Sequence, residues 1–136
     1  GGMLLIGVDL KKDPEQLINA YDDKEGVTAA FNKNILTRIN KELSANFLLN
    51  NFKHKAIYNK KLGRIEMHLQ SLCDHSVTIN KNQFYFNLGE TIHTENSHKY
   101  SISEFHEIAH NVGFETIETW CDDENLFSVH LLSVKK

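Results

Sequence analysis

Proline and cysteine are scarce in this sequence, and it contains neither a long apolar run nor a basic run. Its 136 residues include one proline and two cysteines. Cys73 and Cys121 lack CxxC spacing and are too few for a disulfide framework, so we expect two reduced thiols in a cytoplasmic protein. The apolar run at residues 3–8 is far shorter than the about 20 residues that span a bilayer, and it has no basic flank. We therefore expect no disulfide, no targeting signal and no membrane partner.

The charge balance argues against a nucleic-acid partner. Fifteen basic residues stand against 18 acidic ones, which gives a formal net charge of −3. A protein that binds a phosphate backbone normally carries a basic patch, and none is visible here. With 40% hydrophobic and 24% charged residues, the composition is that of one globular domain with a hydrophobic core.

The first half of the chain carries one strand pattern and two helix patterns. Residues 3–9 are continuously apolar, which predicts a strand buried on both faces. Asp13 and Pro14 are typical of a helix start, and this helix runs towards Tyr21. Residues 27–43 predict a longer helix, because apolar side chains recur at helical spacing. These side chains are Phe31, Ile35, Leu36, Ile39 and Leu43.

The second half begins with alternating residues and then returns to a helix. From about residue 52 to residue 93 the apolar period is two, which predicts an antiparallel meander. Residues 101–112 predict a helix with an apolar face that Gly113 ends. Two terminal strands are expected at 114–120 and 126–133. The fold class is therefore mixed α/β, and the apolar face of the later helix consists of Phe105, Ile108, Ala109 and Val112. Trp120 is assigned to the core.

The segment His106-Glu107-Ile108-Ala109-His110 matches the H-E-x-x-H pattern of zinc hydrolases. Two histidines four positions apart on a helix share a face and can hold one zinc ion. The competing interpretation is that both histidines lie beside the apolar face and point towards solvent. Downstream candidates for a third ligand have no recognisable spacing; they are Glu115, Glu118 and His130.

A polar cluster at 94–97 precedes the later helix and offers a binding site. Glu95 and Ser97 are two residues apart, so in an extended segment they point to the same side and could receive an ammonium or imidazole group. Helix capping and turn formation explain such residues equally well. Tyr21 has a competing role as a half-buried packing residue, and Met67 has one as plain core.

No stretch of the sequence is a phosphate-binding or nucleophile loop. The internal glycines stand singly, so neither the G-x-G-x-x-G pattern nor the P-loop occurs. No serine lies in a G-x-S-x-G elbow, and neither cysteine has the basic neighbours of a nucleophile.

Several segments together resemble the C-terminal part of a known enzyme family. These segments are LLIGVDLKKDP (4–14), AYDDKEGVTAAFNKNILTRINKEL (20–43), GRIEMHL (63–69), GETIHTENSHKYS (89–101) and GFETIETWCDDENLFSVHLL (113–132). They are similar to the histidine-specific, S-adenosylmethionine-dependent methyltransferases, including the ergothioneine-pathway enzyme that trimethylates the α-amino group of histidine.

The resemblance implies a fold with two parts. Residues 1–12 and 98–136 would form the C-terminal part of a class I, Rossmann-like methyltransferase sheet, with 3–9 as its strand five. Strands six and seven would be 114–120 and 126–133, giving the order 5, 7, 6. Residues 13–97 would be an inserted α+β substrate-binding subdomain. The first four strands and the S-adenosylmethionine site would then be missing.

The resemblance also implies four substrate-binding residues. Tyr21 would orient the amino group of histidine, Met67 would line the pocket, and Glu95 and Ser97 would bind the imidazole. No catalytic residue, metal ligand or cofactor-binding residue is expected in this chain. S-adenosylmethionine would belong to the intact enzyme only. His98 departs from the aromatic residue expected after T-E-N-S.

We therefore expect a piece of a histidine α-N-methyltransferase that is inactive alone and takes a histidine-like small molecule. The apolar strand 3–9 would expose an edge and could form a homodimer. The first alternative is a zinc hydrolase that uses the helix 106–110; absence of bound zinc would remove it. The second is a stand-alone binding module, which tight binding of histidine would favour.

Overall fold

The computed structural model describes residues 1–135, which fold into two compact units. The first unit comprises Gly1–Asp13, Lys60–Arg64 and the chain from His98 onwards; the second comprises Pro14–Asn59 and Ile65–Ser97. The helices are α1 (Pro14–Tyr21), α2 (Val27–Glu42) and α3 (Ile102–Asn111). The strands are β1 (Met3–Asp9), β2 (Phe52–Asn59), β3 (Arg64–Ser71), β4 (His75–Ile79), β5 (Asn82–Phe86), β6 (Thr91–His98), β7 (Phe114–Cys121) and β8 (Phe127–Val134). All helices and strands predicted from the sequence are present.

The first unit contains a three-stranded antiparallel sheet in the order β1-β8-β7. Its β1 pairs with β8 along its whole length, from Met3 opposite Ser133 to Asp9 opposite Phe127. The expectation that β1 is buried on both faces is wrong, because Met3 is 70% exposed and Leu5 is 64% exposed. Met3 and Leu5 are two residues apart and therefore share one face of β1, which is open to solvent.

Gly7 lies in the middle of β1, where a glycine normally weakens a strand. The ring of Phe127 packs over it: a Cβ atom at position 7 would lie 2.6 Å from Phe127 Cζ. The absence of a side chain at Gly7 therefore makes room for an aromatic ring on the neighbouring strand. Trp120, which the sequence assigns to the core, is instead 49% exposed on β7.

The helix α3 begins with a capping box. Ser101 accepts a hydrogen bond from the backbone N–H of Glu104, and the Glu104 carboxylate accepts one from the backbone N–H of Ser101. Gly113 follows the helix with φ 92°, as expected of a helix stop. The predicted apolar face is only partly buried, because Ile108 is 46% exposed and Val112 is 69% exposed.

The helix α2 buries only part of the face that apolar spacing predicts. Leu36 is fully buried, but Phe31 is 66% exposed and Ile35 is 41% exposed. The side chain of Asn32 is buried in their place, at 4% exposure. The apolar residues Phe31 and Ile35 are therefore available to line a surface cavity.

Residues 52–98 form two sheets rather than the single meander expected. One sheet has the order β2-β3-β6, and β4 pairs with β5 in an antiparallel hairpin. The strand β3 buries the alternating apolar residues Ile65, Met67 and Leu69, as predicted. The intervening Glu66 is also buried, at 8% exposure. Two hydrophobic clusters fill this unit: Leu36, Phe47, Phe52, Leu69 and Val77 form one, and Leu17, Ala56, Ile65 and Met67 form the other. None of the helices within residues 1–135 is long and apolar enough to cross a membrane.

Candidate functional site

Two side chains that are distant in sequence meet in the second unit. Tyr21 is the last residue of α1, and Ser97 lies near the end of β6. Their hydroxyl oxygens are 2.7 Å apart, and either group can be the donor. Both side chains are partly buried, so the hydroxyl pair is sheltered from bulk water while it remains accessible to a small ligand.

Hydrogen bonds fix the backbone of Tyr21. The Nε2 atom of His54 is 2.7 Å from the Tyr21 carbonyl oxygen, and the Asn32 amide nitrogen is 2.9 Å from His54 Nδ1. The amide nitrogen can only donate and the carbonyl can only accept, so this pair of bonds requires His54 Nδ1 to accept and Nε2 to donate. The same Asn32 amide also donates to the carbonyl of His68 at 3.2 Å. Asn32 thus connects α2, β2 and β3 beneath the tyrosine.

The two aspartates after Tyr21 have separate environments. Asp23 accepts hydrogen bonds of 2.8 Å from the backbone N–H groups of Val27 and Thr28 at the start of α2. Hydrogen bonding to Thr28, through its side chain first and then its backbone, together with the bond from Val27 lowers the pKa of Asp23 from 3.8 to about 2. Gly26 allows this turn because it adopts φ 72°. Asp23 therefore anchors the N-terminal end of α2 directly after Tyr21.

Met67 lies in the hydrophobic cluster that contains Leu17, and Tyr21 packs against that cluster. The methionine side chain is 3% exposed. Its carbonyl accepts a 2.9 Å hydrogen bond from the hydroxyl of Thr94 on the neighbouring strand β6. The packing gives Met67 a structural role and also places it beneath the tyrosine.

Glu95 borders a surface cavity of about 200 Å³ between α2 and β6. The helix contributes Phe31, Asn32, Asn34, Ile35 and Arg38, and the strand contributes Thr94 and Glu95. Arg38 pairs with Glu42 on its own helix, with Nε 3.1 Å from Oε1. Within residues 1–135 the Glu95 carboxylate makes no hydrogen bond or ion pair, so it is available to an incoming cation or N–H donor.

The four residues that the sequence singles out therefore lie in the same unit, but they do not all contact one another. Tyr21 and Ser97 bond to each other, and Met67 packs in the cluster beneath Tyr21. Glu95 opens to the neighbouring cavity. Two hydroxyls and one free carboxylate offer hydrogen-bond acceptors to a ligand rich in N–H groups, such as an imidazole or an ammonium.

Sequence patterns missed Asn32, His54 and Asp23. Asn32 lies between the apolar residues of α2, and a polar residue at such a position is the one signal that could have indicated a buried contact. The role of Asp23 could have been expected, since an acidic residue close before a helix often accepts its first N–H groups. Nothing in the local sequence distinguishes His54.

The H-E-x-x-H segment does not assemble a zinc site in the structure. His106 Nε2 lies 3.0 Å from the Thr119 hydroxyl and 3.2 Å from His130 Nδ1. The ring therefore points inward, and the competing interpretation that it faces solvent is wrong. His110 is exposed on the same helix. No set of three metal-ligating side chains within residues 1–135 includes this pair. The zinc hydrolase interpretation has no support here.

Comparison with known proteins identifies the family. Residues 1–134 match the family model of the histidine-specific, SAM-dependent methyltransferases. The chain is 38% identical over 133 residues to the histidine N-alpha-methyltransferases of Mycolicibacterium smegmatis and Mycobacterium tuberculosis. These alignments cover 96% of this chain and 41% of each relative. Ergothioneine biosynthesis protein 1 of Schizosaccharomyces pombe is 30% identical over 118 residues, which are 86% of this chain and 15% of that protein.

This chain therefore belongs to the family of histidine-specific, SAM-dependent methyltransferases. It spans about two-fifths of the length of the bacterial relatives that it matches.

The residues present do not form a site for S-adenosylmethionine. Gly26, Gly63, Gly89 and Gly113 have positive φ, but each lies in a separate turn. Within residues 1–135 no strand leads into a glycine-rich loop and a helix, the arrangement that holds nucleotide-derived cofactors. No methyl-transfer step is therefore assigned to side chains of this chain.

Proposed function

We propose that this chain carries the substrate-binding residues of an enzyme that methylates the α-amino group of histidine or a histidine-like amino acid. The observation that carries the proposal is the Tyr21–Ser97 hydroxyl pair, at 2.7 Å. It joins the two segments whose sequences most resemble the family. The names of the bacterial relatives supply the substrate and the reaction.

In this proposal each of the four residues has one role. Glu95 accepts an imidazole N–H, which its free carboxylate suits, and Ser97 bonds the other ring nitrogen because a hydroxyl can donate or accept. Tyr21 holds the amino group by hydrogen bonding, and Met67 supports the pocket from the core side. Holding the amine in place is the contribution expected of such a site, since orientation supplies much of the acceleration in a displacement reaction.

We also propose that the first unit is the C-terminal part of a class I methyltransferase sheet. The order β1-β8-β7, with β8 antiparallel to both neighbours, supports the assignment of these strands as five, seven and six. The second unit is then the inserted substrate-binding subdomain. The separation of the chain into two compact units near residues 13 and 97 supports these outer boundaries, while Lys60–Arg64 group with the first unit.

Two measurements test the proposed function. The product of the complete gene that contains this sequence is assayed for S-adenosylmethionine-dependent methylation of histidine, and this chain alone is assayed in parallel. We expect methylated histidine from the complete product and none from the chain. Methylation by the chain alone, or no methylation of histidine by the complete product, contradicts the proposal.

The chain itself is titrated with L-histidine while ¹⁵N–¹H NMR spectra are recorded. We expect weak binding that shifts the amide signals of Glu95 and Ser97, because the chain offers part of a pocket. Glu95→Gln should reduce the affinity, while Glu118→Gln, a change at an exposed strand residue of the other unit, should not. Tight binding to the chain without methylation by the complete product would favour a stand-alone binding module instead.

A further inference from the structure

Three metal-ligating side chains lie together on β3 and β6, and none of them is among the four proposed substrate residues. Glu66 and His68 are two positions apart on β3, so they point to the same face of the sheet. His93 lies on the neighbouring strand β6. One ligand atom from each of the three side chains lies within 4.8 Å of the other two.

The two ring nitrogens of His68, the central histidine of this cluster, have different surroundings. His68 Nε2 lies 3.4 Å from Glu66 Oε2, but its Nδ1 is buried and has no hydrogen-bond partner within residues 1–135. The side chain is only 12% exposed. One ion cannot bind both nitrogens of the same imidazole, so an ion shared with Glu66 would be bound by Nε2, the nitrogen that faces that carboxylate.

The surroundings give the cluster both rigidity and access. The imidazole rings of His68 and His93 stack with centroids 4.5 Å apart and an interplanar angle of 21°. Glu66 is held by a 3.0 Å hydrogen bond from the Asn59 amide. His93 is exposed, so an ion can enter from solvent on its side. A fixed carboxylate, a nearly buried imidazole and an exposed imidazole make a three-ligand site with an open position.

We infer that Glu66, His68 and His93 form a binding site for a divalent transition-metal ion of the Zn²⁺ class. Two imidazoles and one carboxylate are the donor types that Zn²⁺ binds, whereas Mg²⁺ and Ca²⁺ prefer oxygen ligands throughout. Two atoms bound to one Zn²⁺ at 2.0–2.1 Å lie at most about 4.2 Å apart. The 3.4 Å separation of His68 and Glu66 meets this limit. His93 would complete the site through Nδ1 after a small shift of its exposed ring, with Nε2 still bonded to the Glu95 carbonyl oxygen.

The bound ion would join β3 to β6 through side chains. His93 Nε2 lies 3.1 Å from the carbonyl oxygen of Glu95, so the ion would also fix the backbone that carries this proposed imidazole-binding residue. The site itself does not rest on the proposed function, and its test uses no histidine.

The experiment is a calorimetric titration of the chain with ZnCl₂ in a non-chelating buffer. We expect one ion per chain for the wild type. His93→Gln should weaken binding at least about tenfold, since even the loss of an outer-shell partner costs that much. His93 is exposed, so this variant should fold normally. The matched control is His110→Gln, an exposed histidine of the H-E-x-x-H segment, which should bind Zn²⁺ like the wild type.

Absence of Zn²⁺ binding by the wild type overturns the inference. So does binding that His93→Gln leaves unchanged, or that His110→Gln removes. The thiol of Cys73 lies 3.7 Å from His75 Nδ1 and is a competing zinc ligand, so the titration is repeated with Cys73→Ser. Loss of binding in that variant would place the ion elsewhere and overturn the assignment.

Co²⁺ titration gives an independent readout of the ligands. Tetrahedral Co²⁺ absorbs visible light far more strongly than the aqueous ion, and its spectrum reports the donor set. We expect such a band in the wild type, with no contribution from thiolate, and its loss in Glu66→Gln and His93→Gln. A thiolate-to-metal band, or an unchanged spectrum in both variants, contradicts the site.

Discussion

The hydroxyl oxygens of Tyr21 and Ser97 lie 2.7 Å apart although 76 positions separate the two residues in the chain. The contact joins the end of α1 to β6, and the bonds from Asn32 and His54 hold the tyrosine backbone in place. A phenol whose main chain is fixed in this way can exchange its hydroxyl partner without moving its ring. Each hydroxyl of the pair can both donate and accept, so the pair can also bond to a ligand.

Tyr21→Phe should weaken the binding of L-histidine to the chain by roughly three- to tenfold. The variant keeps the ring and loses one hydroxyl, and a single neutral hydrogen bond contributes about 0.5–1.5 kcal/mol. NMR or calorimetric titration measures the change, and circular dichroism checks the fold. Tyr85→Phe, an exposed tyrosine of β5, is the control and should bind as the wild type does. Equal effects of the two variants would show that the Tyr21 hydroxyl does not contact the ligand.

Asp23→Ala should lower the melting temperature of the chain, because the first N–H groups of α2 lose their acceptor. The pKa of Asp23 is lowered from 3.8 to about 2, so its stabilisation is complete above pH 3.8 and disappears as the pH falls towards 2. The difference between variant and wild type should shrink over the same interval. Thermal unfolding across a pH series measures this.

Asp22→Ala is the matched control for that series, since Asp22 is an exposed neighbour. It should melt close to the wild-type temperature at every pH. A deficit for Asp23→Ala that stays constant down to pH 2 would show that the carboxylate charge does not stabilise the helix.

The first unit should lose stability when the pH falls below 6.5, because it contains a buried histidine. Burial, and secondarily the nearby His106, lower the pKa of His130 from 6.5. The unfolded chain then binds a proton more readily than the folded chain. The contribution of His130 to the stability of the folded chain is therefore present above pH 6.5 and declines below it. The groups that face His130 are His106, Thr119 and Ser128.

Urea unfolding near neutral pH and at about pH 5.5 tests this decline, which spans the range where histidines titrate. His106→Gln removes the second ionisable ring and should make the decline smaller. His110→Gln alters an exposed histidine and should leave it unchanged. A decline of the same size in all three proteins would assign the pH dependence to other groups.

We predict that the chain self-associates through the free edge of β1. Met3 and Leu5 are 70% and 64% exposed there, and an unpaired apolar edge favours strand addition. Light scattering coupled to chromatography should show a dimer or larger species, and Leu5→Lys should give a monomer. Val112→Lys, at a residue of α3 that is 69% exposed, should not change the association. A monomeric wild type contradicts this prediction.

The sequence predicted the elements well because local rules determine them. Apolar alternation located β3, and Asp13 with Pro14 marked the start of α1. Burial was less predictable: Phe31 is exposed while the neighbouring Asn32 is buried, because two hydrogen bonds from its amide satisfy it in the interior. Polar contacts between distant segments leave no periodic signal in a sequence.

The candidate site shows the same division. Tyr21 and Met67 were predicted from resemblance to the family alone, whereas local spacing also indicated Glu95 and Ser97. The binding roles of all four stay predictions. His106 shows how a short motif misleads, since its ring bonds to Thr119 and His130 instead of sharing a metal site with His110. Which partners a histidine finds depends on strands that the motif does not contain.

The space left by Gly7 under the Phe127 ring also determines how β1 and β8 align. Gly7 is opposite Val129, and Phe127 is opposite Asp9. A slip of two residues would bring Leu5 or Asp9 beneath the ring, where a Cβ atom cannot fit without displacing it. Backbone hydrogen bonds alone would tolerate that slip, because they repeat every two residues. Because Gly7 has no side chain, the observed pairing of β1 with β8 leaves room for the Phe127 ring. Pairings shifted by two residues do not, so they are disfavoured while the sheet forms.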